Sequence, residues 1–191
     1  MNELAVPTQP TAAARTNFDD ADPAEALDPA AFGDVYAGHR DAVYLYLRAR
    51  TSDEDAAFDL TATTFARALN AIGLYRPSGG GMRAWLLRIA RNAAIDHGRK
   101  QRRLVRGPTP EAAFAPVASA EDVAVAADER RRVRRLVAQL RAPERDAIAL
   151  RYAAGMTARE IGEVIGRSEE ATQKMLSRAL ARLKEAYENE R

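Results

Sequence analysis

The chain has 191 residues, no cysteine, and a net charge of only +2 at pH 7. This length fits one medium domain or two small ones, and the lack of cysteine excludes disulfides and thiolate metal sites. No apolar run is long enough to cross a bilayer, and the N-terminus lacks the basic-then-apolar layout of a secretory signal. We therefore expect a cytoplasmic protein with no membrane insertion.

Charge is segregated along the chain. Residues 1–30 carry six acids and one base, and residues 107–129 carry five acids and no base. By contrast, residues 83–106 carry eight bases and one acid, and residues 130–151 have a net charge of +6. Blocks of this kind indicate partners more directly than the total charge does, and the basic blocks favour a polyanion.

The first part of the chain predicts an arm followed by helices. Residues 1–29 are rich in Ala, Pro, Asp and Thr without apolar periodicity, which predicts a disordered acidic arm. A helical pattern begins at Ala31. The next helix can be capped by Thr51 or Ser52, carries acids in its first turn, and ends near Gly73.

A basic helix is the most informative element, and it follows a Pro-Ser-Gly-Gly-Gly break at residues 77–81. Its apolar side carries Trp85, Leu86, Ile89, Ala90 and Ala93, and its other side carries Arg88, Arg91, Asn92, Asp96, Arg99 and Lys100. Trp85 is expected in the core rather than as a stacking platform. Asp96 fits either a DNA contact or an ion pair with Arg99 or Lys100. The helix ends around His97–Gly98 or continues into the following arginines, and its cationic ridge is suited to a polyanion.

The second part of the chain predicts a linker and a further group of helices. Residues 105–129 form the linker, with a short helical piece near Ser119–Ala127. The arginines at 130–135 fit either a solvated face or phosphate binding. Pro143 is placed for the first turn of a helix that Gly155 ends.

The C-terminal helices have the pattern of a helix-turn-helix. Thr157 and Glu160 form a capping box, Gly166 ends the short helix, and Ser168 caps the last helix, which runs to about Tyr187. Base edges would be met by Glu169, Glu170, Gln173 and Lys174, and phosphates by Arg178 and Arg182. A plain three-helix bundle is the simpler alternative. Residues 152–191 carry seven bases and seven acids, so this part alone should bind DNA weakly.

The predicted fold is all-α, with two small helical domains joined by a flexible acidic linker. The predicted boundaries are 1–29 for the arm, 30–104 for the first domain, 105–129 for the linker, and 130–191 for the helix-turn-helix domain.

Two blocks of residues resemble the extracytoplasmic-function (ECF) group of bacterial RNA polymerase sigma factors. The first block comprises Ala57–Ala68, Trp85–Asn92, Asp96, Arg99 and Lys100. The second block comprises Leu140, Pro143, Arg145, Leu150–Tyr152, Glu160, Ile161 and Ser177–Ala179. Both blocks occur in the order expected for that family.

The resemblance implies a site for each of three partner surfaces. The helix at 53–69 would dock on core RNA polymerase through Asp55, Phe58, Asp59, Ala62 and Thr63. The −10 element would be opened and held as a single strand by Tyr75, Arg83, Arg88, Arg91, Asn92, Asp96, Arg99, Lys100 and Arg103. The −35 duplex would be read by Thr157, Ser168, Glu169, Glu170, Ala171, Gln173, Lys174 and Arg178.

The chain departs from the family on two of these surfaces. Many relatives carry Glu where Phe58 stands and Gln where Ala62 stands, on the helix expected to touch polymerase. Glu170, Thr172 and Met175 replace the Gly, Val and basic residue that are common on the recognition helix. These departures imply an altered polymerase contact and an unusual promoter preference.

The resulting prediction is a sigma factor that binds core RNA polymerase and promoter DNA and directs strand opening and transcription initiation. An anti-sigma factor is the expected regulatory partner. The alternatives are a stand-alone helix-turn-helix regulator and a protein-interaction adaptor. No catalytic group, cofactor or metal site is expected, since His39 and His97 are isolated and no nucleophile lies near a base.

Overall fold

A computed structural model describes residues 29–51, 53–77, 79–104 and 123–190. These residues form α1 (Pro29–Arg50), α2 (Glu54–Ala71), a 3-10 helix (Ile72–Leu74), α3 (Gly81–Leu104), α4 (Val123–Gln139), α5 (Ala142–Tyr152), α6 (Ala158–Ile165) and α7 (Glu169–Asn189). The described residues contain no strand, as the all-α prediction requires. The predicted arm, apart from its last residue, and most of the predicted linker lie outside the described residues. None of the described helices is long and apolar enough to span a membrane.

Helices α1, α2 and α3 pack pairwise and are called here the N-lobe. Neither cap predicted for α2 is observed among the described residues, because Asp53 accepts the backbone N–H of Asp55 at 3.2 Å. Thr51 is buried and donates to the carbonyl of Leu47 instead. Ser52 lies outside the described residues. A carboxylate is a favourable cap at this position because the helix dipole attracts negative charge to the N-terminus.

Helix α3 continues through Gly98 to Leu104, so the longer of the two predicted helices is present. Its apolar side is anchored in the N-lobe core, where Leu86, Leu87 and Ala90 are fully buried. This burial holds the basic side of the helix in a fixed orientation.

Helices α4 to α7 form a second group, called here the C-lobe. Helix α4 begins at Val123, inside the segment predicted as linker, and packs against α7. Helix α5 has Pro143 in its first turn and ends at Tyr152, ahead of Gly155. The predicted helix-turn-helix is observed, since the Thr157 capping box starts α6 and Ser168 caps α7.

Two glycines make the turn between α6 and α7 tight. Gly166 has a left-handed backbone with φ of 74°, which costs glycine little. Gly162 accepts the backbone N–H of Arg167 at 2.8 Å. A methyl group at Gly162 would lie 2.5 Å from the carbonyl oxygen of Arg167 and 3.2 Å from the Thr172 hydroxyl. The close approach of α6 to the start of α7 therefore requires glycine at 162.

The two lobes are in direct contact. Helix α3 packs on α6 and α1 packs on α5, and the buried residues of both lobes form one continuous apolar core. The sequence predicts a loose tether between the lobes and does not anticipate this seam, the surface where α1 and α3 meet α5 and α6.

Candidate nucleic-acid interface

An exposed polar stripe runs along α3. It consists of Arg88, Asn92, Asp96, Arg99 and Arg103, with Lys100 beside it. Because these positions recur every three or four residues, they lie on one face of the helix. Six of the nine residues predicted for the −10 element are thus brought together on a single solvent-facing surface.

Two other predicted residues of α3, Arg83 and Arg91, are half-buried and lie off the exposed stripe. Arg91 meets the C-lobe, where its Nε donates to the Asp146 carboxylate at 2.8 Å. The side chain of Arg91 is only 23% exposed. Part of the cationic ridge predicted from the sequence is therefore exposed to solvent, and part of it contacts the C-lobe.

The prediction for Tyr75 conflicts with its position in the structure. Tyr75 is only 2% exposed, and its ring packs edge-on against Trp85 with 5.3 Å between centroids. Its large apolar ring is stabilised in the core, so it cannot stack on a base in this conformation. Trp85 is partly buried against the same core, as expected.

Asp96 has a partner that the sequence does not suggest. Its carboxylate lies 3.7 Å from Arg67 of α2, rather than pairing with Arg99 or Lys100. Both side chains are at least half exposed, so the ion pair contributes little to stability and leaves Asp96 accessible to a ligand.

The seam contains a buried ionic cluster around Asp146 of α5. Besides Arg91, the carboxylate meets Arg50 at 3.0 Å and accepts the Tyr46 hydroxyl at 3.3 Å. Burial raises the pKa of Tyr46, and the Asp146 charge raises it further, so this hydroxyl remains a donor. A buried carboxylate with three partners from the opposite lobe fixes the position of α5 against α1 and α3.

A second polar contact crosses the seam at the glycine loop before α3. The backbone N–H of Gly80 donates to Oε2 of Glu163 on α6 at 2.8 Å. A methyl group at Gly80 would lie 2.8 Å from that oxygen, so the absence of a side chain permits the approach. The carboxylate therefore lies at the N-terminal end of α3, where the helix dipole favours an anion.

The residues predicted for the −35 element are almost all exposed. Thr157, Ser168, Glu169, Glu170, Gln173, Lys174 and Arg178 are exposed, and Ala171 is half-buried. Several bond to one another, since Lys174 meets Glu170 at 2.5 Å and Gln173 donates to Glu169 at 3.2 Å. The face of α7 that is predicted to read bases is thus preorganised but carries little net positive charge.

Other basic residues of the C-lobe have internal roles. Arg182, predicted near phosphates, contacts both carboxylate oxygens of Glu144, at 2.8 and 3.0 Å. Arg132 lies over the Tyr187 ring at 4.1 Å and pairs with Glu190. Arg132 therefore contributes to the packing of α4 on α7. For this arginine, neither a solvated face nor phosphate binding, the two alternatives left open for residues 130–135, describes the observed contacts.

The predicted polymerase-docking residues lie on the outer side of α2. Asp55, Phe58, Asp59 and Ala62 are exposed and Thr63 is half-buried. Phe58 is 55% exposed and stacks on Tyr44 of α1 with 4.8 Å between ring centroids. With Leu69 also exposed, this side of α2 offers an apolar surface to a protein partner.

Sequence reasoning missed the residues that join the lobes: Tyr46, Arg50, Gly80, Asp146 and Glu163. One available signal was the unbroken apolar run Ala147–Leu150, which is buried throughout. A helix that is apolar on all sides must be covered on all sides, and a small helix-turn-helix lobe cannot do this alone. The run therefore indicated that α5 also packs against another part of the protein, outside the helix-turn-helix.

Comparisons with known proteins assign the family. The Sigma-70 region 2 model matches residues 35–104, and the Sigma-70 region 4 model matches residues 130–183. The chain is 31% identical to RNA polymerase sigma factor CarQ of Myxococcus xanthus, over 81% of this chain and 88% of CarQ.

Two further proteins extend the comparison. ECF RNA polymerase sigma factor BldN of Streptomyces coelicolor is 32% identical over 84% of this chain, which spans 61% of the length of BldN. CnrH, solved in complex with the cytosolic domain of CnrY, superposes with a TM-score of 0.67 and 26% identity, over 88% of this chain and 96% of CnrH. The two matched regions, in order on one chain, together with these relatives place this protein in the ECF group of RNA polymerase sigma factors.

Proposed function

We propose that this chain is the promoter-specificity subunit of an RNA polymerase holoenzyme, acting in the cytoplasm without enzymatic activity of its own. The observation that carries the proposal is the occurrence, on one chain, of an exposed basic stripe on α3 and a capped helix-turn-helix in α6 and α7. The first is suited to a separated strand and the second to intact duplex.

The α3 stripe is assigned to the −10 element. Arg88, Arg99, Lys100 and Arg103 would follow phosphates, and Asn92 between them would hydrogen-bond a base or a phosphate. Support comes from their common exposure and from the burial of the opposite side of α3, which prevents the helix from rotating. Tyr75 is left out of this set because it is buried.

The start of α7 is assigned to the −35 element. Gln173 is placed to pair with adenine and Glu169 or Glu170 to accept from cytosine. Lys174 would lie beside them near the base edges, and Arg178 would meet phosphates. The balanced charge of this surface supports a weak contact that needs the attachment of the chain to polymerase.

The outer side of α2 is assigned to core polymerase. Phe58 and Ala62 offer apolar surface, and the acids Asp55 and Asp59 border it. The exposure of an aromatic ring flanked by charge is typical of a protein-binding surface. We expect Phe58→Asp to weaken association with core polymerase strongly, measured by co-purification. Leu45→Asp, an exposed apolar position on α1, is the matched control.

An anti-sigma factor is proposed as the regulatory partner. CnrH was solved with another protein's cytosolic domain bound, and the apolar side of α2 would give such a partner a surface that polymerase also needs. Competition for one surface is a sufficient physical basis for inhibition.

The test is transcription of sheared genomic DNA from the source organism by its core polymerase, with and without the purified chain, followed by sequencing of transcript starts. The expected result is a set of starts that depends on the chain and shares two upstream motifs. Absence of chain-dependent starts contradicts the proposal. Tight polymerase-independent binding to a palindromic duplex would instead favour the stand-alone regulator.

A further inference from the structure

The exposed polar side chains at the start of α7 are paired within the helix itself. Nε2 of Gln173 donates to Oε1 of Glu169 at 3.2 Å, and Nζ of Lys174 donates to Oε1 of Glu170 at 2.5 Å. Each pair joins residues four positions apart, which are neighbours on the surface of a helix. Because the ammonium group of Lys174 is bonded to Glu170, Glu169 has Gln173 as its partner.

The backbone that carries these pairs is held in a fixed orientation. Thr172, the residue before Gln173, is completely buried, and its hydroxyl donates to the Ser168 carbonyl at 2.9 Å. Leu176, one turn further on, is buried as well. A rotation of α7 that turned Gln173 away from its partner surface would expose both side chains to water. The remaining freedom of Gln173 therefore lies in its side chain.

That freedom concerns which way the side-chain amide of Gln173 faces. An amide has two N–H donors on its nitrogen and an acceptor oxygen on the other side, and a half-turn about its last bond exchanges the two sides. An ionised carboxylate can only accept, so the bond to Glu169 requires the nitrogen to face the N-terminal end of α7. One N–H donor and the oxygen then remain for a base, in a fixed order.

One donor beside one acceptor matches adenine in the major groove. Adenine presents the N7 acceptor next to the N6 amino donor, whereas guanine presents two acceptors, N7 and O6. An amide held in the orientation that suits adenine brings its oxygen against O6 of guanine, and the two oxygens repel. An amide that turns freely can offer an N–H to O6 instead. Fixing the amide of Gln173 therefore increases discrimination against guanine more than it increases affinity.

We propose that Glu169 is a positioning residue, which holds the amide of Gln173 in the orientation that reads adenine and rejects guanine in the −35 duplex. Gln173 makes the base contact, and Glu169 acts through it. This inference rests on the proposed function, and within it leaves the direct contact with cytosine to Glu170.

The test is a double-mutant cycle in the holoenzyme. Core polymerase with the full chain transcribes a library built on one chain-dependent promoter, in which the −35 element is randomised and each template carries a transcribed barcode. Gln173→Ala identifies the base pair that Gln173 reads, as the position where this variant abolishes the base preference. Glu169→Met removes the acceptor but keeps the length of the side chain, and the double variant completes the cycle.

Glu169→Met should lower the adenine-to-guanine ratio at that base pair by at least about threefold. A pair of this kind contributes a factor of about two in water and more where DNA excludes water. In the double variant the ratio should equal that of Gln173→Ala alone. The matched control is Glu170→Met, the same substitution at the neighbouring residue, which should keep the wild-type ratio at this base pair because its partner is Lys174.

Three results would overturn the inference: an unchanged ratio in Glu169→Met, additive losses in the double variant, or an equal loss in Glu170→Met. Additive losses would mean that Glu169 acts on the base directly, and equal losses that only the charge matters.

Nuclear magnetic resonance of the free chain separates these failures from failure of the proposed function. The side-chain amide signals of Gln173 should shift on Glu169→Met, without polymerase or DNA. Unshifted signals contradict the inference alone. Shifted signals from a chain that supports no transcription from any template contradict the proposed function, and the base-reading role with it.

Discussion

The N-lobe and the C-lobe differ in how their exposed charged side chains are paired. On α3 the exposed Arg88, Arg99 and Lys100 have no ion-pair partner among the described residues. In the first two turns of α7, acidic and basic side chains form ion pairs within the helix, such as Glu170 with Lys174. The N-lobe can therefore attract a polyanion from a distance, whereas the C-lobe must be brought to its duplex before its polar groups can discriminate. Four changes would break or sharpen this contrast.

The largest effect is expected from removing the free charge of α3. Arg88→Ala with Arg99→Ala should cost roughly 1.5 kcal/mol per charge-assisted contact, or about a hundredfold in chain-dependent transcript. Both side chains are exposed, so the melting temperature should hardly change. The measurement is promoter-dependent run-off transcription. Arg40→Ala on α1 is the control, and equal losses in both variants would show that the α3 stripe has no special role.

The second prediction compares the effect on stability of adding a methyl group at one glycine in each lobe. Gly162→Ala should destabilise the chain by about 2 kcal/mol, because the new carbon would overlap the Arg167 carbonyl. Thermal unfolding should show a fall in Tm of roughly 6 °C. Gly98→Ala in α3 meets nothing within 4 Å and should stabilise the chain by about 0.5–1 kcal/mol. Equal Tm values for the two variants would contradict the close approach of α6 to α7.

The third effect uses one helix cap in each lobe. Asp53→Ala and Ser168→Ala should each cost about 1 kcal/mol, since each removes the side-chain acceptor at a helix start. Because the lobes share one core, both variants should lower a single melting transition, followed by circular dichroism. Two separate transitions, each sensitive to one variant, would show that the lobes unfold independently.

The smallest effect concerns the self-neutralised face of α7. Glu170→Gln frees Lys174 and should change stability by less than about 0.5 kcal/mol, as expected for an exposed i,i+4 pair. The salt dependence of polymerase-free duplex binding should become steeper by about one counterion, because the freed lysine adds one positive charge to the surface that meets the duplex. The control is Glu185→Gln, the same charge change at an exposed position near the C-terminal end of α7. An equal slope for the two variants would place Glu170 and Lys174 outside the duplex contact.

Local features of this fold were predictable from the sequence because local rules decide them. The Thr157 capping box, the Gly166 turn and the Ser168 cap depend on residues three or four positions apart, and all three are observed. The exposed stripe of α3 follows from helical periodicity in the same way. Asp53 was missed as a cap because three adjacent polar residues compete for that position, and tertiary burial of Thr51 decides among them.

Contacts between distant parts of the chain were not predictable in this way. Tyr46 and Asp146 are one hundred positions apart, and no periodicity relates them. Asp146 stands beside Arg145 and near Glu144, so its charge suggests a solvated position and gives no hint of burial. Only the family resemblance assigns Tyr75 to the −10 element, and no local pattern reveals that its ring packs edge-on against Trp85 in the core.

The depth of Asp146 has a consequence for the response to ionic strength. Counterions screen exposed arginine–phosphate attraction within about 10 Å at 0.1 M salt, but they screen a buried carboxylate much less. Added salt should therefore weaken the proposed contacts of α3 with nucleic acid and leave the Asp146–Arg91 pair almost intact. In a cell that accumulates ions under osmotic stress, the contact between the two lobes would therefore persist while contacts of the exposed arginines weaken.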